Sequence, residues 1–176
     1  MITGKDSNLS PDLIQQVFKV IFIGTQTSGK SEVIEAIMAY DNPDYIAPPT
    51  PGASTNRSAI NTEFKRKTVN IIGKNISFNL WDNVSSKNHK NVTANFLRGS
   101  HAAVMVIDCR QPWDERFLDN WMPVVEEYTN AEVLVYLMCN HFDEKGDKKK
   151  SELVKVAASQ AKKKHGFKEV FFVGLA

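Results

Sequence analysis

The sequence predicts an α/β domain built on a mostly parallel sheet of six strands, and three observations carry that expectation. Two continuous apolar runs, Ala102–Ile107 and Val133–Met138, suit central parallel strands covered on both faces. Between them, Glu115–Tyr128 places Phe117, Leu118, Trp121, Val124 and Val125 on one helical face. Near the start, Gly24-Thr25-Gln26-Thr27-Ser28-Gly29-Lys30-Ser31 fits the phosphate-loop pattern G-x-x-x-x-G-K-[ST]. Its flanks agree: the apolar Val17–Ile23 reads as a strand before it, and Glu32–Met38 as a helix after it.

Length and composition narrow the class. A chain of 176 residues suits one domain with a core of its own. We divide it into an N-terminal extension, residues 1–16, and the domain proper, residues 17–176. Residues 1–10 are polar. A net charge of +2 gives no electrostatic footprint for nucleic acid, which is not expected as a partner. Two cysteines, Cys109 and Cys139, make no disulfide framework, which favours a reducing, intracellular setting. They stand past the ends of neighbouring strands, close enough for a bridge on distance, but two buried free thiols are the expected state. There is no apolar leader, no run long enough to span a bilayer and no lipidation motif at either end.

The remaining elements follow in order. Asp41-Asn42-Pro43 ends the first helix, and residues 41–58 form a long Pro-, Ser- and Thr-rich loop of the kind that carries function. Strands Ile60–Ile72 and Ile76–Trp81 join at Gly73-Lys74, with Ile76, Phe78 and Leu80 alternating in the second. Residues 83–95 are polar. Pro123 inside the Glu115–Tyr128 helix predicts a kink or a late start. Ser151–Lys164 reads as a helix with Leu153, Val154, Ala157 and Ala161 inward, stopped by Gly166. Lys148–Lys150 and Lys162–Lys164 flank it and read as a solvated surface. Val170–Val173 is the last strand.

The polar residues at the strand ends carry the chemistry, as expected for an open α/β sheet. In the phosphate loop, successive N–H groups and a helix N-terminus make an anion site, Lys30 reaches the outer phosphates and the Ser31 hydroxyl ligates Mg²⁺. Asp82 supplies an acid for the metal's water shell. In Asn140-His141-Phe142-Asp143, the Asp143 carboxylate can accept from guanine N1–H and its 2-amino group, a donor pair that adenine lacks. Asn140 can bridge this loop to the phosphate loop.

This order of motifs resembles a small GTPase of the Ras superfamily, nearest the Rab branch, from Val17 to Ala176. Trp81-Asp82-Asn83-Val84-Ser85-Ser86 stands where that family has W-D-T-A-G-Q. Pro49-Thr50-Pro51-Gly52 resembles its P-T-I-G, and Phe172–Ala176 its E-T-S-A loop. The resemblance implies a G domain with helices on both faces of the sheet, GTP or GDP as ligand and Mg²⁺ as cofactor. It implies that Gly24, Gln26, Thr27, Ser28, Gly29, Lys30, Ser31 and Glu32 surround the phosphates. Thr50 joins Ser31 and Asp82 at the metal, with Thr55 as the alternative to Thr50. Ser85 faces the γ-phosphate, and Asn140, His141, Asp143, Leu175 and Ala176 surround the base.

Lys30 and Ser86 occupy the catalytic positions, and the departures fall there. Ser86 replaces the Gln that orients the attacking water, and Ser85 replaces a Gly whose flip admits the γ-phosphate. Gln26 crowds the phosphates, His141 replaces a Lys and Leu175 a Ser. The expectation is a slow GTPase switch of vesicle traffic, or a nucleotide-binding pseudo-GTPase module with negligible hydrolysis. A P-loop kinase or ATPase is disfavoured by the base reader. Residues 41–58 and 83–97 would meet exchange factors, GTPase-activating proteins and effectors. The protein would be cytoplasmic, with endomembrane contact only through a segment not in this chain. The family continues with a further helix and a prenylated tail, so the chain reads as a truncated piece. Its sheet would then expose Val20, Phe22 or Phe171.

Overall fold

The computed structural model describes residues 16–42, 44–46, 63–84, 90–143 and 145–174. Six strands form one sheet: β1 (Gln16–Gly24), β2 (Glu63–Ile71), β3 (Lys74–Val84), β4 (Ala102–Asp108), β5 (Leu134–Asn140) and β6 (Val170–Val173). Four helices accompany them: α1 (Lys30–Ala39), α2 (Lys90–Leu97), α3 (Glu115–Tyr128) and α4 (Lys148–His165). The strand order is β2-β3-β1-β4-β5-β6, with β2 alone antiparallel. The order reverses at β1, which has β3 on one side and β4 on the other. That reversal opens a crevice at the carboxyl ends of the strands, where ligands bind in such sheets.

Alternating strand residues feed two cores. Ile21, Ile23, Met105, Ile107, Leu137 and Cys139 pack with Leu97 of α2 and with the buried faces of α3 and α4. Phe22, Leu80, Val104 and Val106, from the other face, pack under Val33 and Ile34 of α1. Helices therefore lie on both faces of the sheet, as expected. The second face is thinly covered away from α1. Of the three residues expected to be exposed, Phe171 is (45 %), Val20 is half-buried, and Phe22 is buried at 2 % because α1 lies over it.

Several sequence boundaries shift. The β2–β3 hairpin turns at Ile72-Gly73, both left-handed (φ 50° and 75°), one residue before the expected junction. β3 continues past Asp82 to Val84, because Asn83 and Val84 keep pairing with Ile23 and Gly24. Lys90–Leu97, which overlaps the stretch 83–95 that reads as polar, is helical and anchors through Ala94 and Leu97. α3 neither starts late nor stops at Pro123: Asp114 caps it by accepting from the Phe117 N–H at 3.1 Å. Met122 is buried there, while Val124 is only partly so. In α4 the inward residues are Ser151, Val154, Ala158 and Ala161. Leu153, expected inside, is exposed, and Ala157 is half-buried. Both lysine clusters lie within α4 rather than beside it. Gly166 ends the helix at φ 70° as expected.

Candidate functional site

Three strand ends, Gly24, Asp108 and Asn140, and Asp82, two residues before the end of β3, lie at the carboxyl ends of the strands around the phosphate loop. The loop is closed tightly. Ser28 is fully buried, its Oγ donating to the Thr25 carbonyl at 2.9 Å and its N–H to the same oxygen at 3.2 Å. Its side chain thus braces the loop from inside. A Cβ on Gly24 would stand 2.4 Å from Ser28 Oγ and 2.7 Å from the Val106 carbonyl, so the strand can approach only with glycine there. Thr25, Gln26 and Thr27 form the exposed rim.

Lys30 is 4 % exposed, and its ammonium donates to the Gly24 and Thr25 carbonyls at 2.9 and 2.6 Å. Burial lowers its pKa below the ordinary lysine value, against the opposing pull of Asp82 and Glu32. The result is a cation held inside the anion nest by two carbonyls that a phosphate oxygen could replace. α1 starts at Gly29 with no side-chain cap, leaving its first N–H groups toward the same space. Beside it, Ser31 Oγ donates to Asp82 Oδ2 at 2.5 Å. A hydroxyl and a carboxylate that meet at a helix N-terminus fit a hard divalent cation. Mg²⁺ takes few protein oxygens and fills its shell from phosphate and water.

The loop of Asn140 to Asp143 is tied to this nest. Asn140, fully buried, donates from Nδ2 to the Ser28 carbonyl at 2.9 Å, which makes the bridge expected from the sequence. Its Oδ1 is buried without a partner among the described residues. Gly29 (φ 80°) lies at the seam: a Cβ would stand 2.2 Å from Asn140 Nδ2 and 2.8 Å from His141 Nε2. His141 is left-handed (φ 54°), turning the chain so that exposed Asp143 follows. Asp143 Oδ1 accepts the Lys145 and Gly146 N–H groups at 3.1 and 2.8 Å.

Arg110 escaped the sequence reading, because nothing local marks it. It grips Asp108 with Nε and Nη2, both at 2.9 Å, and Nη2 also reaches the Thr27 carbonyl at 3.4 Å. Burial alone would raise the Asp108 pKa; the Arg110 guanidinium and N–H hold it below the usual carboxylate range. Arg110, His141, Asp143, Asp147, Lys150 and Cys109 line a cavity of about 250 Å³ between the base-reading loop and α4. Cys109 and Cys139 are free and buried. Their mutual hydrogen bond lowers the Cys109 thiol pKa and raises that of Cys139. At the other side of α1, Glu35 binds Lys65 and accepts from Tyr45 Oη at 2.5 Å, while Lys67 binds the Met38 and Tyr40 carbonyls. β2 thereby pins the first residues of the long loop.

The structure therefore brings Gly24, Gln26, Thr27, Ser28, Gly29, Lys30, Ser31, Glu32, Asp82, Asn140, His141 and Asp143 to one end of the sheet. Thr50, Thr55, Ser85, Ser86, Leu175 and Ala176 lie outside the described residues, as does most of 41–58.

A family model described as "Ras of Complex, Roc, domain of DAPkinase" matches residues 19–143, well over half of the chain. The chain belongs to the Ras superfamily and is Rab-like. This Ras-type domain is similar to the "Ras-related protein RABD1" of Arabidopsis thaliana, 26 % identical over 145 residues, 82 % of this chain and 64 % of that protein. It is 30 % identical to the "GTP-binding protein YPT1" of Saccharomyces cerevisiae over 72 % of this chain and 57 % of that protein. It is 28 % identical to the "Ras-related protein SEC4" of the same yeast over 89 % of this chain and 72 % of that protein. The chain thus spans less than two thirds of the length of RABD1 and YPT1. Among the described residues, no helix is long and apolar enough to cross a membrane.

Proposed function

We propose that this Ras-type domain is a guanine-nucleotide-binding switch of the Rab type, with slow GTP hydrolysis and a role in vesicle traffic. The observation that carries the reading is the Asn140 Nδ2 bond to the Ser28 carbonyl, 2.9 Å long. It joins the phosphate loop to the loop of Asp143, so one ligand can meet Lys30 at one end and Asp143 at the other. In this reading residues 17–176 are one G domain. Lys30 and the N–H groups of the loop and of α1 hold the phosphates, with Gln26, Thr27 and Glu32 around them. Ser31, Asp82 and Thr50 hold Mg²⁺, which when bound neutralises phosphate charge. Asn140, His141, Asp143, Leu175 and Ala176 enclose the base, and the Asp143 carboxylate selects guanine by its two donors.

Hydrolysis is slow because Ser86 is too short to orient water as a Gln does, and Ser85 carries a Cβ where the γ-phosphate calls for a glycine. Residues 41–58 and 83–97 meet exchange factors, activating proteins and effectors. Relatives named as Ras-related and GTP-binding proteins support this reading.

Chromatography of nucleotide released from the purified protein tests the base: guanine is expected, and equal uptake of ATP would overturn the reading. Single-turnover hydrolysis is expected below about 10⁻⁴ s⁻¹. The pair Ser85-Ser86 also favours a second reading, a pseudo-GTPase module that binds nucleotide without turnover. Hydrolysis that stays absent even with a partner extract would select it.

A further inference from the structure

Base selection in this reading depends on where the Asp143 carboxylate is held, and the structure shows what holds it. Oδ1 is saturated by the Lys145 and Gly146 N–H groups at 3.1 and 2.8 Å, while Oδ2 takes no hydrogen bond among the described residues. The carboxyl group lies directly against Gly146. A Cβ at 146 would stand 2.2 Å from Oδ2, 2.8 Å from Cγ and 3.2 Å from Oδ1. Its three nearest neighbours would thus all be carboxyl atoms of one residue. Gly146 is not among the glycines with positive φ, so its backbone tolerates a side chain. The conflict is therefore with the carboxylate and not with the main chain.

The main chain of Asp143 and the start of α4 are tied together. Ser151, 6 % exposed, donates from Oγ to the Asp143 carbonyl at 2.6 Å and to the Asp147 carbonyl at 3.1 Å. Asp147 caps α4 by accepting from the Lys149 and Lys150 N–H groups at 3.0 and 3.1 Å. With the main chain of Asp143 held by Ser151, turning the exposed carboxylate away is the most direct way to relieve a side chain at 146.

We propose that Gly146 is a specificity-determining positioning residue: its missing side chain is what lets the Asp143 carboxylate present Oδ2 to the N1–H and 2-amino group of a guanine. Ser151 holds the backbone from which that carboxylate is aimed. The inference rests on the reading of Asp143 as the base reader. It goes beyond that reading by making residue 146, which touches no base, a determinant of which base is taken.

The test uses the full chain, wild type and Gly146→Ala, with GDP and IDP competing against a fluorescent guanine nucleotide. IDP lacks the 2-amino group, so it keeps one of the two contacts to the carboxylate. The wild type prefers GDP. In Gly146→Ala, GDP affinity is expected to fall about ten- to a hundredfold, the cost of losing hydrogen bonds to a charged group. IDP affinity falls less, so the GDP:IDP ratio contracts toward one, while the melting temperature stays near that of the wild type. Ser151→Ala provides a second variant and should contract the ratio in the same direction. An unchanged ratio in Gly146→Ala, including an equal fall for both nucleotides, overturns the proposal. A wild type that does not distinguish GDP from IDP overturns the reading of Asp143 itself, and this proposal with it.

Discussion

Lys30 and Asp143 are the two charged groups at the ends of the site, and they are held in opposite ways. Lys30 is 4 % exposed and its ammonium is embedded between carbonyls of its own loop. Asp143 is exposed; its Oδ1 accepts two N–H groups, and its carboxylate lies where a side chain at Gly146 would stand. The Lys30 end is thus a preformed buried nest, whereas the Asp143 end is a surface loop braced from α4. A buried cation in such a nest is bound to a ligand of opposite charge whatever base it carries. A carboxylate on a surface loop discriminates only while its aim is kept. Asn140 and Gly29 join the two ends, so affinity and selectivity are coupled there and separable elsewhere.

The largest effect should come from Lys30→Ala. Truncating one partner of a buried charged contact costs about 2–5 kcal/mol, and titration calorimetry should show GDP and IDP affinity falling together. A GDP:IDP ratio that changes with Lys30→Ala would break the separation of the two ends. Gly29→Ala comes next. A side chain at φ 80° costs about 1–2 kcal/mol in strain, and its Cβ would strike the Asn140 amide. Thermal melting should show destabilisation, and both affinity and base preference should suffer. Asn140→Ala leaves the Ser28 carbonyl without its donor, a loss of about 1–3 kcal/mol in urea unfolding. A variant as stable as the wild type would show the seam to be dispensable.

The smallest effect concerns the Arg110–Asp108 pair beneath the seam. Asp108 has its pKa held below the ordinary aspartate value in the folded state. Its contribution is therefore present above the unfolded value, about 3.9, and is lost as pH falls through the folded one. Arg110→Ala should lower the urea midpoint at neutral pH, and the difference from wild type should shrink toward acid. A difference independent of pH would place the effect of Arg110 elsewhere.

The phosphate loop, the apolar strands β4 and β5 and the helix α3 were legible because their signals are local: a spacing, a continuous run, a helical stripe. α2 was hidden because Lys90–Leu97 is only eight residues long, and its anchors matter only once a core exists to receive Ala94 and Leu97. Leu153 was misplaced because two helical faces of α4 carry apolar residues, and packing against β5 and β6 chose the one with Val154 and Ala158. Arg110, Gly146 and Ser151 left no signal, since each acts on a group that the chain alone does not show to be near.

The sequence by itself determined the α/β class and the glycine loop that closes around Lys30, because hydrophobic period and glycine spacing act over a few residues. Only the tertiary structure decided which face of α4 is buried, that Asn140 reaches the Ser28 carbonyl, and that Gly146 makes room for Asp143. Those outcomes depend on distances between segments far apart in the chain, and such distances exist only after the sheet has brought its strand ends together.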